Sequence, residues 1–164
     1  MRRLETHEPL GKGNSLLHWW RAKNPIEVAI NFAVIYTARF LPSLTLKRVF
    51  YRAVGAKIGR DVSFGLGAVV DVFYPELISV GDNTIIGYNT VILGHEFLTD
   101  EWRSGTVEIG KDVTVGANCT ILPGVRIGDG AVVSAMSLVN KDVPPGAFVG
   151  GVPIRNLKKR ERQQ

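Results

Sequence analysis

An aliphatic or aromatic residue returns every six positions through most of this chain, and that period restricts the fold more than any other feature. The anchors fall in three runs: Ile58, Phe64, Val70; then Val80, Ile86, Ile92; then Ile109, Val115, Ile121, Ile127, Val133, Val139. Four positions after ten of the twelve anchors stands a residue small or slender enough for a tight corner: Val62, Ala68, Thr84, Thr90, Val113, Cys119, Val125, Ala131, Ser137 and Val143. Six matches neither the helical period nor simple strand alternation, whereas six-residue arrays mark a parallel β-helix. Three repeats then make one coil, with anchors pointing inward and stacking from coil to coil. Corners such as Gly81-Asp82-Asn83, Gly110-Lys111-Asp112 and Gly128-Asp129-Gly130 suit the required backbone. Cys119, at an inward small position, reads as packing and not as a nucleophile. Gly65-Leu66-Gly67 reads as a corner, because the third glycine and following helix of a dinucleotide fingerprint are missing.

The register breaks twice. Between Val70 and Val80 the spacing is ten, which implies four inserted residues near Phe73-Tyr74-Pro75-Glu76. Between Ile92 and Ile109 it is seventeen, so eleven extra residues, about His95 to Gly105, leave the prism as a loop. Long loops on a regular scaffold commonly carry function. His95 is the sole histidine of the repeat region, and an imidazole can take a hydroxyl proton at neutral pH. On these residues alone, a solvated loop histidine without a role accounts for His95 equally well.

Ahead of the repeats, Asn24-Pro25-Ile26-Glu27 carries a helix start and Pro42 a stop. Ser43 caps a second helix with Leu46, Val49, Phe50, Ala53 and Val54 on one stripe, ended by Gly55. Neither is long and apolar enough to span a bilayer. The Trp19-Trp20 pair and the basic charge leave a peripheral membrane contact open, while a helical cap or subunit contact is the favoured reading. Residues 1–60 hold 11 basic and 3 acidic side chains, residues 61–153 hold 4 and 11, and residues 154–164 hold 5 and 1. An acidic middle argues against binding nucleic acid. One cysteine forms no internal disulfide, and no leader pattern opens the chain, so a cytoplasmic location is expected. The expected organisation is an N-terminal helical segment (1–55), a β-helix (56–153) with its loop at 95–105, and a short basic tail (154–164).

Gly94-His95, the run from Ile109 to Asn118, Ile121-Leu122-Pro123-Gly124-Val125-Arg126-Ile127-Gly128-Asp129, Asn140-Lys141-Asp142-Val143-Pro144-Pro145-Gly146 and Gly151-Val152-Pro153 resemble the hexapeptide-repeat sugar O-acetyltransferases. The maltose, galactoside and polysaccharide enzymes belong to that family. The resemblance spans about residues 55–160. It implies a left-handed β-helix, a homotrimer with active sites between subunits, acetyl-coenzyme A as acyl donor, no metal, and direct transfer to a hydroxyl of a sugar or glycan. It makes His95 the general base and gives coenzyme contacts to Ala117, Ala135, Asn140, Lys141 and Arg155. Ala117 and Ala135 are eighteen residues apart, which stacks them at one corner of successive coils. Glu96 or another loop carboxylate would orient the imidazole. Asp71 would bind acceptor hydroxyls, with a plain turn residue as the other reading. The alternatives are an N-acyltransferase acting on an amino sugar or nucleotide sugar, and a non-catalytic trimeric scaffold. A zinc-dependent prism enzyme would need a histidine cluster, and His7 and His18 lie outside the repeats. The chain departs from the family in its helical N-terminal segment and in Ser134 and Met136, where glycines commonly flank Ala135.

Overall fold

The computed structural model describes residues 2–158. The anchors line three faces of a triangular prism. Ile58, Val80, Ile109 and Ile127 stack on the first face. Phe64, Ile86, Val115, Val133 and Val149 stack on the second, and Val70, Ile92, Ile121 and Val139 on the third. Each contact is a parallel two- or three-residue strand pair. The anchors and the apolar corner residues are buried in one cluster, and the corner residues Thr84, Thr90 and Ser137 are buried as well. The β-helix is thus a single core drawn out along an axis, with each coil burying its neighbour.

Corner chemistry follows from backbone shape. Asn83, Asn89, Asp112 and Asn118 adopt φ between 53° and 57°, a region that Asn and Asp tolerate better than other non-glycine residues. Their side chains form short ladders: Asn83 Nδ2 donates to Asp112 Oδ1 at 2.7 Å, and Asn89 Nδ2 to Asn118 Oδ1 at 3.0 Å. The buried hydroxyls of Thr84 and Thr90 donate to Gly110 and Gly116 carbonyls in the coil above. Gly116 has no room for a side chain, because an added Cβ would meet the Ala135 nitrogen at 2.4 Å.

The two helices form where their caps predict. α1 spans Pro25–Phe40, with Asn24 Oδ1 accepting from the Ile26 amide at 2.9 Å. α2 spans Leu44–Ala53, with Ser43 Oγ accepting from the Leu46 amide. The first coil has no coil beneath it, and α2 satisfies the carbonyls left over. Lys47, 1% exposed, donates from Nζ to Gly65 O at 2.9 Å and Phe64 O at 3.3 Å. Tyr51 Oη donates to Ala68 O, and Arg52 Nε to Ile58 O. α1 lies along the third face, where Arg39 reaches Gly67 O and Asn89 Oδ1, and Asn31 donates to Val72 O.

Three features depart from the sequence reading. The segment before α1 is not wholly helical: Glu5–His7 is a β-strand, and Ser15–Arg21 is a 3-10 helix. The excursion that starts at His95 is a hairpin of His95–Phe97 and Trp102–Ser104 and not an irregular loop, and the N-terminal strand joins it as a third antiparallel member. At the far end the second face continues to Val149, and Arg155–Asn156 folds back antiparallel on Phe148–Gly150. Residues 159–164 of the basic tail lie outside the described residues.

The basic excess of the first sixty residues is turned largely toward the protein itself. Arg2 pairs with Glu96, Arg3 with Asp142, Lys23 with Glu27 and Glu76, Arg48 with Asp61, and Arg60 with Asp82. Arg39, Lys47 and Arg52 serve backbone carbonyls. Among the described residues no helix is long and apolar enough to cross a membrane.

Candidate active site

Asp71 follows the anchor Val70, at the end of the third face in the first coil, and Gly94-His95 leave the same edge one coil higher. The ten-residue gap after Val70 forms a turn around the Asp71 carboxylate. Its Oδ1 accepts the amide protons of Phe73 at 2.8 Å and Tyr74 at 3.0 Å. Its Oδ2 accepts those of Gly94 at 2.7 Å and His95 at 3.2 Å, and lies 2.6 Å from His95 Nδ1. Asp71 is 3% exposed. Burial alone would raise its pKa, but the hydrogen bond and charge of His95 and the Tyr74 and Gly94 amides outweigh it, so the net shift is downward. An ionised carboxylate at that distance takes the proton of Nδ1 as its hydrogen-bond donor, and in the neutral tautomer so selected Nε2 is the proton acceptor.

The imidazole is walled by aromatic rings. Phe73, Phe97 and Tyr74 have centroids 4.8, 4.9 and 5.5 Å from it. Trp102 stacks on Tyr74, and Trp19 meets Phe73 edge-on. Tyr74 Oη donates to Ala22 O at 2.9 Å, and burial pushes its phenol up to about 12. Tyr74 therefore stays neutral beside the carboxylate.

The expected site residues divide between two edges. Asp71 sits with His95, and it, not Glu96, is the carboxylate at the imidazole. Glu96 points elsewhere because side chains alternate along a strand, and it accepts from Arg2 Nη1 at 2.5 Å. Asn140 and Lys141 share the His95 edge, at the corner between third and first faces. Asn140 Oδ1 is buried without a hydrogen-bond partner, and Lys141 is exposed. Ala117 and Ala135 lie at the other edge, between second and third faces. The Met136 amide donates to Ala117 O at 2.9 Å, which stacks the two alanines as their spacing predicts. Arg155, exposed, pairs with Gly150 near that edge. An open groove of about 260 Å³ runs beside the alanines, lined by Asn118, Thr120, Met136, Ser137, Leu138 and Val152. Cys119 is buried beneath them with its thiol pKa raised by burial.

Nothing in the sequence spacing signals the aromatic wall. Phe73 and Tyr74 were visible only as an insertion, and Phe97 and Trp102 only as loop residues, because ring contacts between segments leave no spacing signal. No group of three His, Cys, Asp or Glu side chains able to hold a metal occurs among the described residues.

The model for bacterial transferase hexapeptide (six repeats) matches residues 106–141. The chain is 52% identical over 165 residues to the protein YvoF of Bacillus subtilis (strain 168), which carries an acetyltransferase name, a match covering 100% of this chain and 95% of that one. This chain belongs to the hexapeptide-repeat acetyltransferases. Two solved structures share the fold. A hexapeptide-repeat acetyltransferase of Vibrio cholerae O1 biovar eltor, complexed with acetyl-coenzyme A, superposes with a TM-score of 0.63 at 23% identity, covering 81% of this chain and 86% of that one. A maltose O-acetyltransferase from Clostridium difficile 630 gives 0.63 at 22% identity, over 85% and 90%. The prism of this hexapeptide-repeat acetyltransferase is accordingly a left-handed β-helix, against the usual right-handed crossover preference.

Proposed function

We propose that this chain transfers an acetyl group from acetyl-coenzyme A directly to a hydroxyl of a sugar or polysaccharide-type acceptor, with His95 as general base and Asp71 as the residue that orients it. The observation that carries the reading is the 2.6 Å contact from His95 Nδ1 to a buried carboxylate. His95 Nε2 takes the hydroxyl proton as the oxygen bonds to the thioester carbonyl carbon. Asp71 stabilises the imidazolium that results. As the carbon–sulfur bond breaks, Nε2 returns the proton to the departing thiolate, leaving an acetyl ester and free coenzyme A. No residue of the chain is acylated. The ring wall leaves the His95 side chain 13% exposed and offers aromatic faces, apolar and of large area, against which a sugar ring can pack.

The division of the site between two edges supports a homotrimer with active sites between subunits. Ala117, Ala135 and Arg155 stand across the third face from His95, Asn140 and Lys141, so a coenzyme lying along the alanine column of one chain meets the histidine of a neighbour. Lys141 and Arg155 would then serve the coenzyme phosphates. We place the reaction in the cytoplasm, where one buried thiol needs no oxidising environment.

The test is thiol release from acetyl-coenzyme A over a panel of sugars, amino sugars and nucleotide sugars, with wild type and His95→Ala side by side. At least one hydroxyl acceptor is expected to elicit release, reduced by about 10²-fold or more in the variant. Release only with amines would transfer the assignment to N-acylation. No acceptor at all, or equal rates in both proteins, would leave a scaffold.

A further inference from the structure

The hairpin that carries His95 stands outside the prism, and an isolated two-stranded hairpin in water is marginally stable. Here a third strand and two ion pairs fasten it. The N-terminal strand pairs with the returning hairpin strand in the register Glu5–Ser104, Thr6–Arg103 and His7–Trp102. Ser104 in turn faces His95 across the hairpin. His7 stacks on Trp102 at 3.9 Å, and its Nε2 lies 3.0 Å from Ser104 Oγ. The segment is moored at its own end: the Arg3 amide donates to Gly124 O at 2.9 Å, and the Arg3 guanidinium reaches Asp142 on a corner of the prism. On the far side of that mooring from the strand, Arg2 pairs with Glu96, the residue next to His95, with both side chains 19% exposed.

We propose that residues Arg2 to His7 are a positioning strap for His95, with the Arg2–Glu96 pair as its fastening. The strap ties the hairpin to the corner at Gly124 and Asp142, so the imidazole is held against Asp71 from outside as well as from within. Arg2 acts through Glu96 and the hairpin backbone and touches no reacting atom. The proposal rests on the assignment of His95 as base, and a small displacement of a catalytic group is enough to slow a reaction about 10²-fold.

The experiment uses the full chain as wild type, Arg2→Ala, Arg2→Lys, and the exchanged pair Arg2→Glu with Glu96→Arg. Amide hydrogen exchange is followed over residues 93–105 and over the prism strands. The kcat and the KM for acetyl-coenzyme A are measured with the acceptor identified in the panel above. Arg2→Ala is expected to speed exchange in the hairpin about tenfold with prism strands unchanged, and to lower kcat about tenfold while KM stays within about twofold. Arg2→Lys should fall between, and the exchanged pair should recover both quantities to within about threefold of wild type. Unchanged hairpin exchange in Arg2→Ala, or faster exchange with kcat unaltered, would overturn the proposal. If wild type transfers no acetyl group, the assignment of His95 fails on its own account, while hairpin exchange still shows whether Arg2 fastens the strand.

Discussion

Asp71 Oδ2 accepts a hydrogen bond from His95 Nδ1 at 2.6 Å while also accepting from the backbone amides of both Gly94 and His95. One carboxylate oxygen therefore fixes the ring tautomer and the backbone from which the ring projects. Its other oxygen is occupied by the Phe73 and Tyr74 amides, so both ends of the group are committed as acceptors.

That commitment makes Asp71→Asn more than a charge removal. Either orientation of the amide turns an NH₂ toward backbone N–H donors. The variant is expected to lose about 1–3 kcal/mol of stability and about 10²–10⁴-fold in kcat, as general-base catalysis is lost. Denaturant titration and thiol-release kinetics check both parts. A kcat close to wild type would show that His95 does not depend on Asp71.

The lowered pKa of Asp71 also fixes the sign of an acid effect. A carboxyl ionising more readily in the folded than in the unfolded chain contributes stability that is full above the unfolded value, near 4, and is lost as pH falls from there through the lower folded value. Unfolding free energy measured between pH 3 and pH 7 should fall more steeply below about pH 4 in wild type than in Asp71→Asn. Equal slopes would mean that the pairing with His95 does not persist in solution.

Placing the two halves of the site on different chains predicts complementation. His95→Ala and Ala135→Trp, the second chosen to block the groove, should each be inactive alone. Coexpressed in equal amounts they should recover about a quarter of wild-type activity, because one interface in four then joins an intact histidine edge to an intact alanine edge. A site contained in a single chain would recover none.

Lys47 is expected to matter for stability and not for chemistry. Its Nζ closes two carbonyls of the first coil, at Phe64 and Gly65. Lys47→Met keeps the stem but leaves the Phe64 carbonyl without a donor, a cost of about 1–3 kcal/mol, while Gly65 O still accepts from the Ala68 amide at 3.2 Å. The midpoint of denaturation should drop with little change in m or kcat. An unchanged midpoint would mean that water reaches those carbonyls.

The prism was legible because its constraint is local and repeated: each anchor from Ile58 to Val139 had to be apolar for the same reason, and the structure buries all of them. The helix starts at Asn24 and Ser43 were legible for a similar reason, since a cap is read within four residues. The N-terminal strand was not, because Glu5-Thr6-His7 has no alternating pattern and owes its shape to a partner about a hundred residues away. The sequence points Asp71 to the acceptor and Glu96 to the imidazole, and the geometry places Asp71, not Glu96, at the ring. Adjacency in sequence favoured Glu96, but neighbouring residues of a strand face opposite ways, and the closing of one coil onto the next brings Asp71 to the ring.

The hairpin is spliced in between Ile92 and Ile109, yet the strands on either side keep their pairing, Val80 with Ile109 and Ile92 with Ile121. Coil-to-coil hydrogen bonds register only with the layer above or below, so the prism is indifferent to what is inserted at that seam. The His95 hairpin is in this sense a cassette. Grafting one of different length from another member, together with its matching N-terminal strand, should re-specify the acceptor without disturbing the alanine column.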